Sequence, residues 1–132
     1  MRIGALVLLV AIPLLVSGCR TTEIYNVPRH SVPGDASRTL EETGRLIEDA
    51  AVELGWEVEH VAPGEIIATL DIRRHRAVVS ITYGASHYAI RYKDSDRLLY
   101  DGGKIHRNYN HWIRNLEQRI HRALVGSDPS SP

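Results

Sequence analysis

Phenylalanine is absent from this 132-residue chain, methionine and cysteine occur once each, and tryptophan occurs twice. A single cysteine excludes an internal disulfide, so the fold has no covalent framework and must be held by a packed core. The missing phenylalanine leaves six tyrosines as the main aromatic stock, and every tyrosine hydroxyl that is buried asks for a partner. Net charge is lacking too. Sixteen basic and sixteen acidic residues cancel, and loss of Arg2 with a leader would leave about minus one, which argues against nucleic acid as a partner. Recognised chemistry is also missing. There is no G-x-S-x-G elbow, no H-E-x-x-H pair and no two histidines four apart, so the sequence offers neither a nucleophile with its base nor a metal site, and we expect no enzyme, no cofactor and no metal.

What is present begins at the N-terminus. Met1-Arg2 is positive and Ile3 to Val16 is an almost purely apolar run of fourteen residues, shorter than the ~20 a bilayer-spanning helix needs. This is the pattern of a signal peptide. The run closes on Val16-Ser17-Gly18-Cys19, which resembles the lipobox of bacterial lipoproteins: a branched apolar residue, two small residues and the cysteine that is acylated and becomes the new N-terminus. The alternative is a secreted protein with one free thiol. The resemblance implies residues 1–18 as a signal peptide and Cys19 as a lipidation site carrying palmitate-class acyl chains. Each buried methylene adds about 0.8 kcal/mol, so several chains make a lasting anchor. Arg20 stands where aspartate marks inner-membrane retention, so by family analogy the destination is the cell envelope, at the outer membrane and facing the periplasm.

Residues 19–34 include Pro28, Pro33 and Gly34 and read as a lipidated tether, with Ile24 to Val27 as a short edge strand at most. A globular domain is expected over 35–125 and a disordered tail over 126–132. Within the domain a helix is predicted over Ser37 to Leu54, capped by Ser37 or by Thr39 with Glu42, and stopped by Gly55. Leu40, Ile47, Ala50, Ala51 and Leu54 share one face with Thr43 and Gly44, and these small residues point to close approach to a sheet.

Alternation from Trp56 to Lys93 predicts half-buried strands. A turn at Arg74-His75 would pair Leu70 with Val79 and Ala68 with Ile81. A turn at Ala85-Ser86 would pair Tyr83 with Tyr88, Ile81 with Ile90 and Val79 with Tyr92. A loop at Ala62-Pro63-Gly64 would set Val58 beside Ala68 and His60, pointing inward, beside Ile66. All three registers put the same apolar set on one face. A closing helix over Asn108 to Val125 has Trp112, Ile113, Leu116 and Ile120 on its apolar arc and a basic, polar opposite side. The expected fold class is therefore α+β, a two-layer sandwich of order α-β-β-β-β-α with a four-stranded antiparallel sheet and both helices on one face.

Charge is unevenly spread. Asp35 to Glu65 holds nine acids against Arg38 and Arg45, and the balance reverses from Asp71 onward. An acidic first helix beside a basic last helix accounts for this, and so does a polarised binding surface. The outer sheet face, with Glu57 and Glu59 at one side, Ile67 and Val78 between, and Arg91 and Lys93 at the other, is either a plain solvated face or one that suits a protein partner. Arg73-Arg74-His75-Arg76 gathers cations at one hairpin tip, where a solvated turn competes with contact to phosphate headgroups or an acidic partner. Tyr92, Asp94, Asp96, Tyr100, His106, Asn108 and Asn110 concentrate around a loop between rigid elements, and form the candidate binding residues. Asp94, Ser95 and Asp96 equally suit plain turn formation.

The segments ITY, HYAIRYKDSD, LLYDG and KIHRNYNHWI, spread over Gly55 to Leu124, together with the lipobox, resemble a group of small uncharacterised lipoproteins of Gram-negative bacteria. The resemblance implies membrane lipid, through acylated Cys19, as a partner, and carries no catalytic residue. The expected role is a membrane-anchored, non-catalytic module that binds an envelope protein. The alternative is a small-ligand binder with a Tyr-rich rim.

Overall fold

The computed structural model describes residues 20–32 and 38–126. The expectations for the leader, for Cys19, for residues 33–37 and for the tail beyond 126 lie outside the described residues.

Helix α1 (Leu40–Glu53) starts on a capping box: Glu42 N–H donates to Thr39 Oγ1 at 3.1 Å and Thr39 N–H donates to the Glu42 carboxylate at 2.8 Å. Two orphan donors are satisfied reciprocally, which decides between the two caps considered above in favour of Thr39. The helix ends by the αL route. Gly55 has φ 89°, its N–H donates to Val52 O, and Trp56 N–H donates to Ala51 O, the paired bonds of a Schellman stop. Trp56, 3% exposed, is thereby turned into the core.

Four strands follow as an antiparallel meander: β3 (Glu57–Ala62), β4 (Glu65–Ile72), β5 (His75–Tyr83) and β6 (His87–Asp96). The β3–β4 and β5–β6 registers are those expected, with Val58 opposite Ala68, His60 opposite Ile66, and Tyr83, Ile81 and Val79 opposite Tyr88, Ile90 and Tyr92. The β4–β5 register differs by two residues: Leu70 faces Ala77 and Ala68 faces Val79, because the turn is the two-residue Arg73-Arg74 rather than one centred on Arg74-His75. An even shift keeps every side chain on its face, so the core set is unchanged.

The sheet has five strands rather than four. Strand β2 (Val27–Ser31) pairs antiparallel with β6, giving the order β2-β6-β5-β4-β3, and β1 (Thr21–Glu23) pairs with β7 (Lys104–His106) in a second small sheet. Where a free tether was expected, residues 21–31 are built into the domain. Val27 and Val32 are buried at 1% and 3% exposed, and Pro28 sits on an edge strand, where its missing N–H removes no ladder bond.

Helix α2 (Arg107–Gly126) closes the chain. Its Ile113, Leu116, Ile120 and Leu124 pack with Ile47, Ala50 and Ala51 of α1 over Ile66, Val79, Ile81 and Ile90, all essentially solvent-free. Burying each large aliphatic contributes roughly 1.5–3 kcal/mol. Arg38, just ahead of α1, donates to Leu124 O at 2.6 Å; a cation from the neighbouring element thus meets the carbonyl end of α2. Arg119 instead reaches across to Glu53 on α1. The acidic first helix and basic last helix do complement one another, through that pair.

Candidate functional site

The predicted binding residues divide into three groups. Tyr92 and Tyr100 do come together, their rings stacked with centroids 4.0 Å apart, and Tyr109 meets Tyr92 edge-on at 5.8 Å. The Tyr92 hydroxyl bonds Ser95 Oγ at 2.8 Å. Burial, offset partly by that bond, pushes the Tyr92 phenol above its ordinary pKa, and burial does the same to Tyr109. Tyr109 is fully buried and its hydroxyl has no hydrogen-bond partner among the described residues. The rings fill the space between sheet and loop, and an open depression of ≈ 420 Å³ lies over them, bordered by Asp94, Ser95, Arg97 and Tyr100.

Asp94 and Asp96 do not join this cluster, and a bulge is the reason. Val78 pairs with Asp94 while Val79 pairs with Tyr92, leaving Lys93 as an extra residue. One inserted residue reverses the alternation beyond it, so Ser95 falls on the same side as Tyr92. Asp94 accepts from Ser95 N–H at 2.9 Å, and Asp96 lies opposite Arg76 and 3.9 Å from Arg97.

His106 ends β7, directly ahead of α2, and Asn108 and Asn110 lie in the first turn of that helix. Asn108 N–H donates to His106 Nδ1 at 3.2 Å, so the imidazole caps the helix with its unprotonated nitrogen. Desolvation and the nearby His75, Arg107 and Arg20 all hold His106 below its usual pKa. His75 approaches it at 6.0 Å between ring centroids and touches Trp112 at 6.4 Å. Asn110 is structural: it accepts from Tyr25 N–H at 2.9 Å and donates to Glu23 O at 2.8 Å, fastening the N-terminal segment to α2. Asn108 is exposed on the first turn.

His60 lies on the helix side of the sheet but is not interior; it is exposed at the β3 edge, 2.7 Å from the Glu48 carboxylate. The edge position accounts for the difference, since among the described residues no strand lies beyond β3. Among the described residues, no three histidine, cysteine or acidic side chains converge in a way that could hold a metal ion, and no helix is long and apolar enough to cross a membrane.

Sequence reasoning missed a groove of ≈ 610 Å³ between the start of α1 and the β3–β4 turn, bordered by Leu40, His60, Val61, Pro63 and Tyr83. Leu40 and Val61 stand 39% and 47% exposed there. A bulge between His60 and Ala62 places Val61 at this corner. Proline and glycine in the turn announced the bend, but nothing local announced which helix end would face it.

The opposite sheet face carries neither helix. Across it Glu59, Ile67, Ser80 and Arg91 stand in one row and Glu57, Thr69, Val78 and Asp94 in the next. Ile67 and Val78 are half-buried by their neighbours; the Ile67 row runs from Glu59 on β3 to Arg91 on β6, and the Val78 row has an acid at each end. No protein-family model matches this chain, nor does any curated protein or solved structure.

Proposed function

We propose that the chain is a lipid-anchored envelope protein, held by acylated Cys19 in the outer membrane and facing the periplasm, whose domain binds another envelope protein without catalysing a reaction. The observation that carries the binding half is the one-sided cover of the sheet. Both helices pack on one face, and the other presents half-buried Ile67 and Val78 between the carboxylates Glu57 and Glu59 on β3 and a mixed set on β6, where Arg91 ends one row and Asp94 stands opposite Val78. Such a surface favours a partner of complementary polarity, because opposed charges fix register while the apolar strip contributes area. The anchoring half rests on the Val16-Ser17-Gly18-Cys19 pattern behind an apolar leader.

The tyrosine cluster gives the small-ligand alternative little support, since its rings occupy one another's faces and leave only an open depression at the rim. A photocrosslinking residue at Thr69 tests the proposal in intact cells. A discrete adduct is expected from Thr69, none from Asn115 on α2, and loss of the adduct on Glu57→Lys with Glu59→Lys. Monomer alone at both sites, with an active crosslinker, overturns the binding reading. Mass analysis of the mature N-terminus tests the anchor separately, a bare Cys19 sulfur being the result that sinks it.

A further inference from the structure

The absence of a slack tether has a geometric consequence. Arg20, the residue after Cys19, is already part of the fold: its carbonyl accepts from Arg107 N–H at 3.0 Å, and β1 begins at the next position. A lipid on Cys19 would therefore be attached one residue, about 3.8 Å of chain, from folded structure. Whatever surface surrounds Arg20 must lie against the bilayer.

That surface is one end of the domain. The β4–β5 turn, the loop from β6 to β7, strand β1 and the start of α2 meet there, joined by the His75–His106 contact, by Ile24 N–H on Gly103 O and by His106 N–H on Leu98 O. Arg20, Arg73, Arg74 and Arg107 are all exposed, and no carboxylate among the described residues pairs with them. The acids nearby are engaged: Asp71 by Arg76, Asp94 by Ser95 N–H, Asp96 by Arg97, and Asp101 by the backbone N–H groups of Lys104 and Gly103, which hold its carboxyl below the usual range. Glu23 faces Lys104 across the β1–β7 pair. The first turn of α2 contains no acid to offset its positive dipole end. Beside Arg20, a depression of ≈ 420 Å³ is lined by Thr21, Thr22, Arg107, Asn110, His111 and Arg114.

Apolar side chains complete the pattern. Leu99 is 58% exposed and Tyr100 is 41% exposed on the β6–β7 loop, with Ile72 at the edge of the neighbouring turn. Leu99 also holds φ 57°, a backbone conformation that bulky residues rarely adopt. An exposed leucine and tyrosine flanked by uncommitted arginines match the chemistry of a bilayer interface, where apolar tips enter the acyl boundary and guanidinium groups meet phosphates.

We infer that this end of the domain, marked by Arg20, Arg73, Arg74, Arg107 and Leu99, docks flat on anionic phospholipid headgroups. The inference rests on the lipid anchor proposed above. The β3–β4 turn then points away from the membrane and the open sheet face stands upright, accessible to a partner.

The test uses the full chain purified from membranes and reconstituted into vesicles of phosphatidylglycerol with phosphatidylethanolamine, or of phosphatidylcholine alone. An environment-sensitive dye is placed through Leu99→Cys or, at the far end, Ala62→Cys. In anionic vesicles a lipid-borne quencher should remove roughly half of the emission from position 99 and little from position 62. The difference should shrink in phosphatidylcholine and on Arg73→Glu with Arg74→Glu. Equal quenching at the two positions, or no dependence on lipid charge, overturns the inference. Mass analysis of Cys19 in the same preparation reports on the anchor alone, so a failed anchor is distinguishable from a failed docking surface.

Discussion

At the scale of single residues, His106 is the side chain whose environment is most at odds with its neighbours' charge. Burial, the neighbouring His75 and the guanidinium groups of Arg107 and Arg20 favour its neutral form, and its Nδ1 accepts from the start of α2. Because the folded-state pKa lies below the unfolded value of about 6.5, the unfolded chain binds more protons in between. The associated stability is complete above about pH 6.5 and is lost as pH falls through the folded pKa. His106→Asn keeps a capping acceptor and removes the titration, so urea midpoints measured from pH 7 to pH 5 should decline less steeply in that variant. The candidate residues were legible as a cluster in sequence only in part. Tyr92 and Tyr100 meet as expected, whereas Asp94 and Asp96 are turned aside by a bulge that no local pattern announces.

Elements were more legible than their joints. The Thr39 and Glu42 capping box and the Gly55 stop were readable because each is a local hydrogen-bonding solution that needs only a few consecutive residues. Gly44 was readable as a point of close approach, and its partner is Tyr83: a Cβ built there would stand 2.5 Å from the Tyr83 hydroxyl oxygen and 3.0 Å from Cζ. Gly44→Ala should therefore destabilise by about 1–2 kcal/mol despite alanine's better helix propensity, since overpacking costs about 1–3 kcal/mol and propensity returns up to about 1. Chemical denaturation checks the sign, and Gly44→Ala combined with Tyr83→Leu should recover much of the loss. The three-residue strands β1 and β7 were not readable, because three residues are too few to carry an alternation.

For the molecule as a whole, the N-terminal segment decides between a domain with a slack leading segment and one into which residues 21–31 are built. Val27 is 1% exposed and belongs to the same core as both helices. Val27→Ala should lower global stability by about 1.5–3 kcal/mol, the transfer of two methyl groups plus a cavity. Far-UV circular dichroism and tryptophan fluorescence should report one coincident transition in both wild type and variant. A slack tether would show no change in either probe.

The chain's order of residues was sufficient for helix limits, for the inward face of four strands and for the α+β class, because periodicity and caps act over a few neighbouring positions. It also supplied the Val16-Ser17-Gly18-Cys19 pattern on which the proposed anchor rests. Tertiary structure alone decided that residues 21–31 pair into two sheets, that a bulge turns Asp94 and Asp96 away from the tyrosines, and that Arg20, Arg73 and Arg107 share one end. These facts depend on pairings between segments as much as 92 residues apart, such as Tyr25 with Glu117, and long-range pairings are fixed by the packing of the whole core.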